Sequence, residues 1–319
     1  MKGRLQQSAS LLHLRDVPCR GYATGHHGEI FQGVVRTESG RLRRALCSLP
    51  CSGLGSEAIF HLDDSGIVTV MPSWKTKAQI AARLALEWAN RPELGGVLQV
   101  HSDIPPGWGL GSSTSDVIAT IRAVLSVLQL DMRAQAIAAL AVEAERACDS
   151  TIFNAAVLFA HREGEVVEFL GGQLPELVVL GFNTDPDHAG VDTLDFPPAR
   201  YGPDEIARFA ELLDLLRRSI REEDIHALGQ VATGCARINQ AHLPKPRFDQ
   251  IEEVARRVGA LGVQVAHSGT VVGLLFDPHD AQTGRRAEQA RVEIVALGFA
   301  RTWQFSTTQT ELVNLRGTP

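Results

Sequence analysis

No run of about 18 apolar residues occurs in the 319-residue chain, so no membrane-spanning helix is expected. The five cysteines, Cys19, Cys47, Cys51, Cys148 and Cys235, are odd in number and scattered, without CxxC spacing. That argues against a zinc site or a disulfide framework and for a reducing, cytoplasmic setting. Positive charge is not in excess, since the net charge is −6 and the pI about 6.0. Neither nucleic acid nor an anionic membrane surface is therefore an expected partner. Lysine is scarce, limited to Lys2, Lys75, Lys77 and Lys245. There is no internal repeat or low-complexity tract, and the opening segment MKGRLQQSASLLHLRDVPCR interrupts its apolar stretch with charge before any convincing cleavage site. It reads as a loose arm over residues 1–18 rather than a leader.

What remains is ordinary globular composition, 44% hydrophobic and 21% charged, enough for one large or two moderate domains. Residues 21–33, rich in glycine and histidine, read as a loop framed by strands. The apolar spacing from Lys75 to Trp88 predicts a helix, stopped by Pro92, Gly95 and Gly96. Val97–Ser102 alternates as a strand, a glycine-rich loop follows, and Val117–Leu130 and Met132–Arg146 read as helices. A hairpin over Ala156–His161 and the VVEFL segment closes a first domain, expected at residues 19–172. The second, residues 173–319, has a strand at Leu177–Gly181, helices over Pro203–Ile238 and Phe248–Leu261, and strands around a His-Ser-Gly turn between Val263 and Phe276. Asn183–Pro203 is the most loop-like stretch. The expected class is α+β.

The strongest chemical signal is Pro105-Pro106-Gly107-Trp108-Gly109-Leu110-Gly111-Ser112-Ser113-Thr114. Glycines let backbone amides approach an anion, and the helix that follows presents the positive end of its dipole. No lysine follows the glycines, so the loop is not a Walker A loop, and GWGLG lacks dinucleotide-fingerprint spacing. The plainer alternative is a helix cap by Ser112, Ser113 or Thr114.

PPxxGLGSS resembles the second motif of the GHMP kinases, named for galactokinase, homoserine kinase, mevalonate kinase and phosphomevalonate kinase. Gly21 to Gly33, ending Gly28-Glu29-Ile30-Phe31-Gln32-Gly33, resembles the first motif and looks like the L-threonine kinases of cobalamin synthesis. His267-Ser268-Gly269-Thr270-Val271-Val272-Gly273 resembles the third motif. Asp149-Ser150-Thr151-Ile152-Phe153 and Leu243-Pro244-Lys245-Pro246-Arg247 extend the resemblance to the threonine kinases. It implies the GHMP kinase fold, with an N-terminal ribosomal S5 domain 2-like domain and a C-terminal ferredoxin-like domain around a shared active site.

The resemblance also implies roles. Residues 106 to 114, from Pro106 through Gly107, Trp108, Gly109, Leu110, Gly111, Ser112 and Ser113 to Thr114, would bind ATP. Asp149 would be the catalytic carboxylate at the acceptor hydroxyl; its structural alternative is to cap a helix starting at Ser150. Ser113 and Glu145 would hold Mg²⁺, with Glu143 a rival because Glu145-Arg146-Ala147-Cys148-Asp149 departs from the string carried by relatives. Glu29, Gln32, His27, Lys245, His267, Ser268 and Gly269 would contact the acceptor. His26 and His27 stand where small residues or Cys are expected, which bears on acceptor identity; a metal pair there is not expected without a third ligand. The implied activity is ATP-dependent phosphorylation of L-threonine. Serine, homoserine or another hydroxy amino acid is the alternative acceptor, and a non-catalytic protein of the same fold the alternative class. A homodimer is compatible with this reading.

Overall fold

The computed structural model describes residues 19–37, 39–186, 200–308 and 312–313. The expected arm over residues 1–18 and most of the expected loop at Asn183–Pro203 lie outside the described residues.

Residues 21–33 do not form a loop. They lie within one long strand, β1 (Cys19–Arg36), which pairs antiparallel with β2 (Leu42–Asp63). The glycines that suggested a loop serve irregular pairing instead: the register shifts between Thr24 and Gly25, between His26 and Glu29, and between Glu29 and Phe31. Gly28 takes φ +62 inside this region, a backbone conformation that costs glycine little. Bulges of this kind re-aim side chains and are common near active sites.

β3 (Val68–Met71), α1 (Thr76–Trp88), β4 (Gly95–Ser102), α2 (Ser112–Val127) and α3 (Ala134–Glu145) follow. β5 (Val157–Ala160) and β6 (Glu165–Phe169) form the expected hairpin. The helices of this half pack on one face of the sheet around Phe60, Leu98, Val117, Ile121 and Phe159, all fully buried. Helical spacing of small and branched residues in α1 and α2 supplies that face: Ala78, Ala81, Ala82 and Ala85 let α1 approach closely.

The second half runs β7 (Val178–Asn183), α4 (Pro203–Arg221), α5 (Ile225–Asn239), α6 (Phe248–Val258), β8 (Gly262–Val265), β9 (Val271–Phe276), α7 (Thr283–Ala296), β10 (Thr302–Ser306) and β11 (Leu312–Val313). Its strands lie in the order β10-β7-β9-β8. That is fourth, first, third, second among the four, with helices between the first two and between the last two, the ferredoxin-like arrangement. Leu180, Phe182, Ile251, Val263, Leu274 and Phe276 form its core.

The halves share one sheet, ordered β11-β10-β7-β9-β8-β1-β2-β4-β3. At the seam, β1 pairs with β8 through Glu29 and Val265. A third apolar cluster, with Ile30, Phe31, Leu49, Leu110, Leu212 and Leu275, bridges both halves. Glu29 therefore sits where the two halves meet.

Candidate active site

The glycine-rich loop leaves β4 and enters α2 at Gly111, whose φ of +80 makes it the left-handed N-cap. No side chain caps the first turn of α2, so Ser112, Ser113 and Thr114 do not play the capping role that was their structural alternative. Uncapped first-turn amides and the helix dipole favour an anion at this position. Ser112 and Ser113 are half-buried, while Thr114 is buried.

Backbone contacts tie this loop to the two other glycine-rich segments. The His26 amide donates to the Leu110 carbonyl at 3.1 Å, and the Thr270 and Val271 amides both donate to the Trp108 carbonyl, at 3.0 and 3.2 Å. A Cβ on Gly269 would come within 2.2 Å of that same Trp108 oxygen, so only glycine allows the turn at 267–269 to lie against the loop.

Asp149 reaches the same place. Arg146 ends α3 in a left-handed conformation, and the Cys148 amide donates to the His161 carbonyl at 2.9 Å. Asp149 then precedes a short 3₁₀ turn, Ser150–Ile152, without capping it. Its Oδ2 lies 2.8 Å from His26 Nε2. A Cβ on Gly111 would meet His26 Cδ2 at 2.4 Å and Asp149 Oδ2 at 3.3 Å. The helix mouth and the carboxylate thus share one wall.

Electrostatics around this pair are strongly coupled. Burial would raise the Asp149 carboxyl, but the His26 charge and hydrogen bond, with Thr114 and His161, hold it below its ordinary value. Burial would likewise lower His26, but Asp149 and Glu29 hold it up at about 9. Glu29 Oε2 accepts from the His267 amide at 3.0 Å and lies 3.1 Å from His267 Nδ1. Lys245 Nζ donates to the Gly269 carbonyl at 2.7 Å, and burial brings its pKa down to about 8.

On the last turn of α3, buried Glu145 accepts from Thr114 Oγ1 at 2.8 Å and is also bonded by the Ser113 hydroxyl. Burial pushes its pKa up to about 7. Glu143 is exposed, so of the two rival carboxylates Glu145 is the one against the helix mouth. The Glu145 carboxylate with the Ser113 hydroxyl is an oxygen-only donor pair, suited to a hard cation.

Residues 76–161 match the family model described as GHMP kinases N terminal domain, and residues 213–293 match GHMP kinases C terminal, together just over half of the chain. The chain belongs to the GHMP kinases. It is 30% identical to an L-threonine kinase of Citrobacter freundii over 190 residues, 56% of this chain and 62% of that protein. To an L-threonine kinase of Salmonella typhimurium it is 28% identical over 190 residues, 60% and 61% of the two chains. The match thus spans about three fifths of the length of each of these relatives. A homoserine kinase structure from Cytophaga hutchinsonii superposes over 93% of this chain and 97% of its own with a TM-score of 0.68 at 16% identity, a likeness of fold.

Within this GHMP kinase fold, the expected site residues fall into two groups. The loop from Gly107 to Thr114, together with Glu29, Glu145, Asp149, Lys245, His267 and Gly269, converges through the contacts above; Ser268 lies between His267 and Gly269 in the same turn, and Pro106 lies at the exposed outer bend. His27 and Gln32 stand apart. His27 is fully buried among Trp303 and Phe305, with Nδ1 2.8 Å from Gln264 Oε1. Burial lowers its pKa to about 4. It is a neutral core residue packed away from Asp149, whereas the neighbouring His26 faces that carboxylate. Gln32 is half-buried, paired with Leu46 three positions beyond Glu29.

The Lys245 ammonium is buried against the Gly269 carbonyl and clamps the turn. His26, to which the sequence assigned no role of its own, lies against Asp149. With Glu29 and Asp149 it places one ligand atom each within 4.8 Å of one another. Both its nitrogens, however, already face acceptors, Gly28 O at 3.1 Å and Asp149 Oδ2, so the cluster is an ion-pair network. No local signal separated the two adjacent histidines, because the register shift between His26 and Glu29 breaks the period-two alternation of β1 there.

Proposed function

We propose that this protein is an ATP-dependent kinase that phosphorylates the side-chain hydroxyl of L-threonine. The observation that carries the reading is the packing of Gly111 against His26 and Asp149, which sets an anion-binding helix mouth beside an ionised carboxylate. Similarity to two L-threonine kinases supports the acceptor class.

The uncapped first turn of α2 and the glycine loop would cradle the triphosphate. Asp149 orients the acceptor hydroxyl in line with the γ-phosphorus. As the new O–P bond forms and the bridging β,γ bond breaks, the hydroxyl proton passes to the Asp149 carboxylate and ADP leaves. Positioning and charge stabilisation carry most of such a reaction, because the transition state is loose. With lysine scarce and Lys245 occupied, backbone amides of the loop are the chain's own donors to the phosphates.

Mg²⁺ fits the Ser113 and Glu145 donor pair, since Glu145 is a buried carboxylate whose bonded partners are hydroxyls. Bound there with ATP, it would neutralise charge on the transferred phosphoryl group. Because the Glu145 pKa is raised in the fold, its proton stabilises the metal-free protein at low pH, and that contribution is lost as pH rises through about 7. Mg-ATP is therefore expected to raise the thermal midpoint more at pH 8 than at pH 5.5. Glu145→Gln should abolish this pH dependence and raise the Mg²⁺ concentration for half-maximal rate about tenfold or more. An unchanged Mg²⁺ requirement in a melting and turnover series would remove Glu145 from the metal.

The acceptor is tested by incubating the purified protein with Mg-ATP and threonine, serine, homoserine and their analogues, following ADP release and product mass. Phosphothreonine should dominate, and its production would suit the cobalamin route. ADP at background with threonine but not with homoserine or serine would move the activity to that acceptor. Background with every alcohol would leave the non-catalytic reading.

A further inference from the structure

Among the described residues, no lysine is bonded to Asp149. Lys75 is bonded to Asp116, Lys77 is exposed, Lys245 is bound to Gly269, and Lys2 lies outside the described residues. A carboxylate this enclosed, with its side chain 17% exposed, keeps its charge only beside a partner. The basic groups acting on it are His26 and His161, and burial keeps His161 neutral, with a pKa lowered to about 4. That leaves His26.

We propose that His26, protonated on both ring nitrogens, is the positioning cation that keeps Asp149 ionised and aimed at the acceptor hydroxyl. The inference rests on the phosphotransfer reading given above. Hydrogen-bond geometry calls for two protons across these contacts: Nδ1 faces the Gly28 carbonyl at 3.1 Å, which can only accept, and a proton lies between Nε2 and the Asp149 carboxylate at 2.8 Å, on the ring because the Asp149 carboxyl is held below its ordinary value. The ring cannot swing away, because it is 2% exposed and the Gly111 backbone packs on its Cδ2–Nε2 edge.

The surrounding charges favour the same state. On the strand that carries His26, Glu29 Oε1 lies 3.9 Å from Nδ1. Glu29 is itself met by His267 from the β8–β9 turn and sensed by Lys245 from the loop after α5. Glu145 of α3 acts on Asp149 from behind, and His161 stands after β5. Two carboxylates against one ring hold its pKa at about 9 despite burial. With the folded value above the ordinary 6.5, the pair is complete at neutral pH and is lost as pH rises through about 9. Lys245, at about 8, titrates nearby, so pH alone does not identify the group.

The test combines imidazole NMR with kinetics on the full chain. In the ¹⁵N-labelled wild type at pH 7, the ring signals assigned to His26 by their loss in His26→Gln should show both nitrogens protonated, and Asp149→Asn should return the ring to the neutral form. His26→Gln keeps a donor towards Asp149 but no charge. It should lower kcat about 100-fold with the KM for ATP within about twofold, and should lose the alkaline limb near pH 9. A neutral His26 in the wild type at pH 7, or a His26→Gln enzyme within about threefold of wild-type kcat, would overturn the proposal. A wild type inert towards every alcohol would instead count against the phosphotransfer reading, since the NMR arm reads the charged pair without turnover.

Discussion

Asp149→Asn is expected to lower kcat by about a thousandfold while the KM for ATP stays within about twofold, because general base assistance contributes roughly 10²–10⁴ and belongs to the transfer step. The amide has nearly the same shape, so the pocket survives. What goes is the charge that orients the hydroxyl and receives its proton. His26, no longer facing a carboxylate at 2.8 Å, should surrender its extra proton as burial takes over. Steady-state kinetics and nucleotide titration on the purified variant decide the matter. Turnover within about threefold of wild type would place Asp149 away from the acceptor.

Gly111→Ala is expected to cost at least about 100-fold in kcat/KM for ATP, because a displacement of the order of 1 Å at a reacting centre is felt on that scale. The new methyl would lie 2.4 Å from His26 Cδ2 and 2.8 Å from Nε2, closer than a methyl carbon tolerates. The backbone adds its own cost, about 1–2 kcal/mol for an L-residue in the left-handed region, since φ is +80. Gly171→Ala separates the two effects: its φ is +83, with nothing within 4 Å of the added carbon. Thermal midpoints should fall in both variants, but only Gly111→Ala should lose activity. Equal activity in the two would mean that the helix mouth and the His26–Asp149 pair do not share a wall.

Much of the fold was legible because the signals are local. The spacing of Ala78, Ala81, Ala82 and Ala85 announces α1, and the glycine loop between a strand and an apolar run announces the entry to α2. The segment at 21–33 was misread for an equally physical reason. Glycine marks permissive backbone, and whether the permission serves a loop or a bulged strand depends on β2 lying alongside. Lys245 illustrates the same limit at the site. Its proline-flanked position says nothing of the Gly269 carbonyl, which arrives from a turn 24 residues away.

By itself the sequence determined the phosphate-cradling loop, the carboxylates available to it and the family resemblance, because these reside in contiguous residues whose chemistry does not depend on their neighbours in space. Only the tertiary structure decided which histidine faces Asp149, which glutamate faces the helix mouth and which lysine is sequestered. Those choices follow from the register shifts at the bulges of β1 and from the seam where Glu29 meets Val265, and burial there determines which charged groups are paired.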